Sequence, residues 1–363
     1  MEFLFNCPIN NLSFGQVSLM LLREFHLMNL DIAVAPIGAI NLEGANLPQD
    51  FSVWLNKCLA KTNSRHNRDK HISLKLWHLN GSLESFSKKQ VLLTFYEVDK
   101  PTVQELNIVA QNEKVIFSSS YAANLFKERG ANNVVSVPLA FDRFNFFPTE
   151  RPSYPDKRIT FNLLGKFEKR KRHEFILKSW IKKYGKQDKF FLKAALHNPF
   201  IPVEELTNLF ISAIGGQSDL FNVKFYPFMD ILSYNRFLGD GNIVIACSGG
   251  EGWSLADFEA VALGSHAVTL KAHSYLDWAN EKNSVLINPS GKIPAADGRF
   301  FAENSQFNNG NIYDFNEDDF IEGCEKAIER VKIDPMNWEG CKLQSQFTTR
   351  KFAENVLEVV KSV

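Results

Sequence analysis

The chain has 363 residues, of which 45% are hydrophobic and 23% charged, a composition typical of a folded globular protein. Lys and Arg together number 41, as do Asp and Glu, so the formal net charge is zero and a nucleic-acid-binding function is not expected. The length favours two domains over one, because single hydrophobic cores seldom extend over so many residues.

The first part of the chain alternates apolar strands with helical patterns. Strands are predicted at residues 3–7 and 31–36, separated by a glycine-bearing loop and a helix over 16–28. The remaining elements continue this alternation, with strands at 73–79, 90–96, 114–118 and 134–138 and helices over 101–112 and 120–129. Repeated strand–helix–strand units favour a parallel sheet.

A second alternating region follows residues 146–158, which contain three prolines and are the best linker candidate. Its predicted strands are 159–164, 190–195, 223–226, 243–247, 267–270 and 284–287, and its helices 173–183, 254–263, 315–332 and 348–360. The prediction is an α/β protein with an N-terminal domain over 1–150, a second domain over 151–345 and a C-terminal helix within 346–363.

Five dispersed cysteines without a CxxC pair favour a reducing compartment. The N-terminus has no signal-peptide pattern, and no apolar run reaches the ~18–20 residues that span a bilayer. We therefore expect a cytoplasmic protein, with peripheral membrane contact left open.

The most informative stretch is a strand-to-helix turn rich in glycine. The strand at 243–247 ends in Ser248-Gly-Gly250, and Glu251-Gly252-Trp253 precedes a helix that begins near Ser254. Such a turn presents backbone N–H groups and the positive end of a helix dipole, which suits a diphosphate. Ser254 and Asp257 have the spacing of a capping box.

Two carboxylates frame this turn. Glu251 lies in the loop, and Glu259 lies in the following helix among the apolar residues Phe258, Ala260 and Leu263. Because a carboxylate accepts hydrogen bonds from vicinal hydroxyls, the pair could hold the sugar and the ribose of a nucleotide sugar. The alternative is that both are ordinary surface glutamates.

A cluster of basic residues follows another predicted strand end. Five of the seven residues after Gly165 are basic, at 166, 169, 170, 171 and 172. Cations at the carboxyl end of a strand can neutralise a departing diphosphate. The alternatives are a solvated basic loop or a nucleic-acid patch.

These stretches resemble motifs of the group 1 (family four) retaining glycosyltransferases, which have the GT-B fold. The family pattern Glu-Gly-Phe-Gly-Leu-x-x-x-Glu-Ala-x-Ala-x-Gly is similar to residues 251–264, and Gly-Arg-x-x-x-x-Lys-Gly is similar to residues 165–172. A domain-exit pattern, Val-x-Pro-x-Gly-x-Asp-x-x-x-Phe, loosely resembles residues 137–146. The resemblance covers roughly residues 90–360.

The resemblance implies two Rossmann-like domains facing across a cleft, with the C-terminal helix crossing back to the N-terminal domain. It implies that Glu251 contacts the donor sugar and Glu259 the ribose, and that Lys166 and Lys171 (or Arg170) hold the diphosphate. The remaining implied donor-binding residues are Gly15, Gly165, Gly250 and the backbone of Gly252, Trp253, Ser254 and Leu255. Gly15 corresponds to the family's N-terminal glycine loop.

The chain departs from the family at several positions. Ser265-His266 stands where the family usually has proline, and residues 272–277 replace a Gly-Gly-x-x-Glu segment. The family's N-terminal-domain histidine is not evident. Glu97 occupies a comparable strand end, where it would face the acceptor or the reacting centre; a surface acidic loop is the alternative.

Other chemistries lack their sequence signals. The sequence contains no HExxH, GxSxG or P-loop motif, no Asp-x-Asp after a strand and no Gly-x-Gly-x-x-Gly after the first strand. The resemblance implies transfer without metal or cofactor, from a nucleoside-diphosphate sugar as co-substrate to a glycan, lipid or small molecule. Non-catalytic nucleotide-sugar or glycan binding is the main alternative, and a GT-B epimerase or phosphorylase is another.

Overall fold

The computed structural model describes residues 3–64, 71–148, 158–216 and 220–363. Its contacts divide the chain into unit 1, made of Met1–Asn145, Phe300–Gly310 and Gln344–Val363, and unit 2, made of Phe146–Arg299 and Asn311–Leu343. Residues 300–310, expected in the second domain, thus make their contacts within unit 1. Most of the predicted linker, residues 149–157, lies outside the described residues.

Unit 1 is built on a six-stranded parallel sheet flanked by helices. Its strands are β1 (Phe3–Cys7), β2 (Ala33–Pro36), β3 (Ile72–Leu76), β4 (Lys89–Thr94), β5 (Lys114–Phe117) and β6 (Val134–Ser136), in the order β2-β1-β3-β4-β5-β6. The helices between them are α1 (Ser13–Leu27), α2 (Phe51–Ser64), α3 (Val103–Ala110) and α4 (Ser120–Glu128). Every residue of β1 is buried, as expected for a strand covered on both faces.

Unit 2 repeats this architecture with a second six-stranded parallel sheet. Its strands are β7 (Ile159–Leu164), β8 (Phe190–Ala195), β9 (Val223–Phe225), β10 (Ile243–Ala246), β11 (His266–Leu270) and β12 (Val285–Ile287), and β13 (Gly291–Pro294) and β14 (Asn311–Asp314) form an antiparallel pair. Its helices are α5 (His173–Tyr184), α6 (Val203–Ala213), α7 (Ile231–Gly239), α8 (Leu255–Ala262), α9 (Glu317–Ile333) and the short α10 (Trp338–Cys341). The short α11 (Leu343–Gln346) begins at the last residue of unit 2 and continues into unit 1. The α/β class and the parallel sheets predicted from the sequence are confirmed.

The C-terminal helix, α12 (Thr349–Lys361), packs against α1 in unit 1. Glu24 of α1 is fully buried and accepts a hydrogen bond from Thr349 Oγ1 at 2.6 Å, and Arg350 Nε lies 3.2 Å from its other oxygen. The chain therefore returns to unit 1 through a buried polar contact as well as an apolar helix face.

The aspartate of the domain-exit pattern, Asp142, is part of a buried ion pair in unit 1. Asp142 is 1% exposed and forms an ion pair with Arg23, which is fully buried, at 3.1 Å. Burial raises the pKa of Asp142, although the Arg23 charge opposes that rise. Removing one partner of such a pair leaves an uncompensated buried charge.

The strand order of unit 2 defines a point where the chain changes direction across the sheet. The order is β12-β11-β10-β7-β8-β9, so the chain runs outward from β7 to β9 and then restarts at β10 on the other side of β7. In open α/β sheets, ligands bind outside the carboxyl ends of the strands at such a switch point. The segments after Leu164 and Ala246 are therefore where a ligand is expected.

None of the helices in the described ranges is long and apolar enough to cross a membrane.

Candidate functional site

The segments that follow β7 and β10 are joined directly by their backbones. Gly249 N–H donates to the carbonyl of Arg170 at 2.9 Å, and Tyr313 N–H of β14 donates to the carbonyl of Gly249 at 2.8 Å. A Cβ on Gly249 would lie 2.4 Å from Tyr313 O, closer than any side chain allows. This glycine is therefore needed for three segments to meet at the carboxyl edge of the sheet.

A buried ion cluster fills the junction. Glu251 Oε1 lies 2.6 Å from Lys171 Nζ and 3.1 Å from Arg170 Nη1. Arg170 also donates to Glu168 Oε2 at 3.0 Å and to the carbonyl of Gly250. Lys166 Nζ lies 3.0 Å from the other oxygen of Glu168. Three cations and two carboxylates thus share one site, with one positive charge in excess.

Both carboxylates of the cluster are held in the charged form. Burial by itself raises the pKa of Glu251, but the charges of Arg170 and Lys171 outweigh it and hold this pKa well below the usual range. The same holds for Glu168, whose pKa is lowered by Arg170, Lys166 and Lys171 against the effect of burial. The surface alternative for Glu251 is therefore wrong, since its exposure is only 4%.

The cations of the cluster differ in their access to solvent. The side chains of Lys166, Lys171 and Arg170 are 40%, 12% and 4% exposed, respectively. Arg170 is bound to Glu168, Glu251 and the Gly250 carbonyl, so its geometry ties the two loops together. Lys166 and Lys171 are the cations placed to reach an anion from outside.

The other two basic residues of the stretch point to different partners. Lys169 Nζ donates to the carbonyl of Ala296 at 2.6 Å, and Arg172 pairs with Asp314 of β14 at 2.7 Å. Because every one of the five cations has a protein partner, the stretch does not form a solvated basic loop.

Gly165 makes room for Lys171. Its φ is +109°, and a Cβ there would lie 3.1 Å from Lys171 Nζ. Arg172 and Ser254 also have left-handed backbones, with φ of 57° and 64°. The resembling motifs have glycine at both positions, which is the residue type that adopts a left-handed backbone most easily.

The N-terminus of α8 faces the same region. A helix leaves its first N–H groups without intrahelical acceptors and carries a partial positive charge there. Ser254 is the N-cap residue, but its side chain makes no capping hydrogen bond. The predicted capping box is therefore wrong: Ser254 Oγ donates to Asp257 Oδ2 at 2.7 Å instead. Trp253 is buried, and its carbonyl accepts a bond from Trp278 Nε1 at 3.2 Å.

Glu259 lies inside unit 2. It is the fifth residue of α8 and is 2% exposed, so the surface alternative is wrong for it too. Burial, followed by the negative charges of Glu259 and Asp257, raises the pKa of Tyr234 on α7. Glu259 lies in α8, which packs against α7, and not in the loop that contains Glu251.

The two candidate residues of unit 1 are placed as follows. Gly15 lies in the first turn of α1, not in the loop before it, because the helix begins at Ser13. A Cβ on Gly15 would lie 2.2 Å from Asn10 O, so the segment after β1 folds tightly onto this turn. Glu97 follows β4 and is half-buried.

A group of side chains beneath the glycine turn was missed by the sequence analysis. Tyr275 OH donates to Asp257 Oδ2 at 2.7 Å and accepts from Ser248 N–H at 3.3 Å. His273 Nε2 lies 2.8 Å from the carbonyl of Ser248. Burial lowers the pKa of His273 to about 4, so this ring is neutral at physiological pH. The only sequence signal was the departure from the family pattern at residues 272–277.

Comparisons with known proteins support the fold. No protein-family model and no curated protein sequence matches the chain. Solved structures do match along its full length. Sucrose-phosphate synthase from Thermosynechococcus elongatus is 12% identical with a TM-score of 0.67, covering 100% of this chain and 98% of its own. The Anabaena protein HepE, solved in complex with UDP-glucose, is 14% identical with a TM-score of 0.67, covering 100% of both chains.

A glycosyltransferase from Rickettsia africae ESF-5 is 12% identical with a TM-score of 0.69, covering 99% of this chain and 98% of its own. At these identities the likeness concerns the fold. The chain has the GT-B fold of these structures, as predicted.

Proposed function

We propose that this chain is a glycosyltransferase of the group 1 (family four) type, which moves a sugar from a nucleoside-diphosphate sugar to a glycan, lipid or small-molecule acceptor. Transfer would retain the anomeric configuration and use no metal or cofactor. The dispersed free cysteines favour a reducing compartment, and the proposal places the enzyme in the cytoplasm. The similarity to HepE, whose structure contains UDP-glucose, supports the choice of donor.

The observation that carries the proposal is the ion cluster at the switch point of unit 2. Lys166 and Lys171 lie at the carboxyl end of β7, beside the glycine turn that leads into α8. Cations, backbone N–H groups and a helix N-terminus are the components that hold a diphosphate. All three come together where the strand order expects a ligand.

The residue roles follow from these positions. Lys166 and Lys171 would hold the diphosphate as it leaves, helped by the backbone of residues 252–255. Glu251, charged and fixed by Lys171, would accept hydrogen bonds from the donor sugar, and Glu259 from the ribose. The glycosyl centre would become oxocarbenium-like, with the acceptor entering on the face that the diphosphate leaves and the phosphate assisting removal of its proton.

The test has two stages. Thermal-shift measurements with UDP-, GDP-, ADP- and CMP-sugars should show stabilisation by one class of nucleotide. Acceptor-dependent release of the matching nucleotide, above the hydrolysis seen without acceptor, should then demonstrate transfer; the proposal expects that nucleotide to be a nucleoside diphosphate and not CMP. Stabilisation without release across the panel would instead favour the non-catalytic binding protein.

A pair of lysine variants gives the control. Lys171→Ala should abolish transfer, whereas Lys178→Ala should not, because Lys178 is 55% exposed on α5 and pairs with Glu174 on the same helix. Wild-type turnover in Lys171→Ala would overturn the proposal.

A further inference from the structure

We propose that Asp257 is a positioning residue for the donor's diphosphate, because one of its carboxylate oxygens fixes both ends of the glycine turn formed by residues 248–254. This inference rests on the proposed function. Asp257 lies on α8 with 5% exposure, and the resembling motif has no fixed residue at its position.

Ser254, at the end of the turn, has an unfavourable backbone conformation. Its φ of 64° and ψ of 66° lie in the left-handed region, which residues with a side chain seldom adopt. Ser254 Oγ donates to Asp257 Oδ2 at 2.7 Å, and no capping bond competes for this hydroxyl. The hydrogen bond therefore holds the serine in a conformation that glycine would adopt unaided.

The second end is Ser248, at the start of the turn. Its N–H donates to Tyr275 OH at 3.3 Å, and Tyr275 OH in turn donates to the same oxygen of Asp257 at 2.7 Å. Tyr275 is fully buried, so this link is shielded from water. One oxygen atom thus connects the residue that opens the turn with the residue that closes it.

A carboxylate is a costly choice for a purely structural link. Burial raises the pKa of Asp257 to about 6, with Lys171 and the Ser254 and Tyr275 hydrogen bonds opposing the rise. Its other oxygen, Oδ1, is buried without a hydrogen-bond partner among the described residues. This cost is explained if Asp257 fixes the direction of the N–H groups of the turn, because donors that are already oriented bind an anion without further rearrangement.

The experiment measures binding of UDP and of inorganic pyrophosphate by calorimetry in the full chain. Pyrophosphate reports on the diphosphate position alone. We expect Asp257→Ala to weaken pyrophosphate binding at least about tenfold, the effect of losing a charge-assisted hydrogen bond. Asp257→Asn should weaken it less, because the amide oxygen can still accept from Ser254 and Tyr275.

The decisive measurement is a double-mutant cycle with Ser254→Gly. Glycine needs no tether to remain left-handed, so the loss caused by Asp257→Ala should shrink to a few-fold in the Ser254→Gly background. General destabilisation of unit 2 would not shrink in this way. If Asp257→Ala does not fold, the same cycle is run with Asp257→Asn. Asp142→Asn is the matched control: it also alters a buried aspartate, yet in unit 1, and should leave pyrophosphate binding unchanged.

Two outcomes would overturn the inference while leaving the proposed function in place. One is pyrophosphate affinity in Asp257→Ala equal to that of the wild type. The other is an equal loss with serine or glycine at position 254. A wild-type chain that binds neither UDP-type nucleotides nor pyrophosphate would instead refute the proposed function itself, and the inference with it.

Discussion

Replacing Glu251 by glutamine tests the central feature of the site. The substitution keeps the size of the side chain but removes the charge that lies 2.6 Å from Lys171 Nζ and 3.1 Å from Arg170 Nη1. Arg170 retains Glu168 and the carbonyl of Gly250, so the ammonium of Lys171 loses the most. The variant should therefore fold but be less stable.

The expected loss of stability can be expressed as a free energy and as a change in the midpoint of thermal unfolding. Breaking a buried ion pair by removing one partner costs about 3–5 kcal/mol of unfolding free energy. Because Arg170 keeps its other partners in this variant, the expected loss is at the lower end of that range, about 3 kcal/mol. In a domain of this size, each kcal/mol lowers the midpoint of thermal unfolding by about 2–4 °C, so a decrease of about 6–12 °C is expected. Differential scanning calorimetry at neutral pH measures it.

The sign of the pH dependence follows from the lowered pKa of Glu251. A carboxylate whose pKa is lower in the folded state contributes stability above its unfolded pKa, near about 4.3, and loses it as the pH falls through the folded value. The stability difference between wild type and Glu251→Gln should thus be constant above about pH 5.5 and should shrink progressively as the pH falls below about 5.

Ligand binding separates the two roles assigned to Glu251 and Lys171. A nucleoside diphosphate would supply the missing negative charge to Lys171, so it should stabilise Glu251→Gln at least as much as the wild type. The ratio of the affinity for the nucleotide sugar to the affinity for the nucleoside diphosphate should fall about tenfold in the variant, because glutamine is a weaker acceptor for the sugar hydroxyls. Equal melting temperatures for variant and wild type, or an equal loss of affinity for both ligands, would refute this reasoning.

Three further substitutions probe other parts of the molecule. Lys166→Ala should weaken nucleoside-diphosphate binding about tenfold with little change in melting temperature, because its side chain is 40% exposed; calorimetric titration compares it with Lys178→Ala. Asp142→Asn should destabilise the protein by about 3–5 kcal/mol in urea unfolding, because it leaves Arg23 buried without its counter-charge, and unchanged stability would contradict that account. Gly15→Ala should lower the melting temperature, because its Cβ would meet Asn10 O at 2.2 Å, and a wild-type melting curve would show that the segment after β1 can move aside.

The sequence predicted the sheet strands well because their signal is local. Buried parallel strands are short, continuous apolar runs, and β7 and β8 fall at the residues predicted for them. Several helices were missed, among them α6 and α7. Their apolar residues are partly exposed, including Val203 at 73% and Leu232 at 48%, so the pattern does not separate a buried face from a solvated one.

The sequence by itself determined the α/β class, the glycine turn after β10 and the basic stretch after β7, because each of these depends on residues that are neighbours in the sequence. Only the tertiary structure decided which charges meet. It paired Arg170 and Lys171 with Glu251, turned Lys169 and Arg172 toward other partners, and buried Asp257 beneath the turn. The physical reason is that Arg170, Lys171 and Glu251 lie in loops after β7 and β10, which are neighbours in one sheet although they are far apart along the chain. The partners of Lys169 and Arg172, in contrast, come from the segment around the antiparallel pair β13–β14.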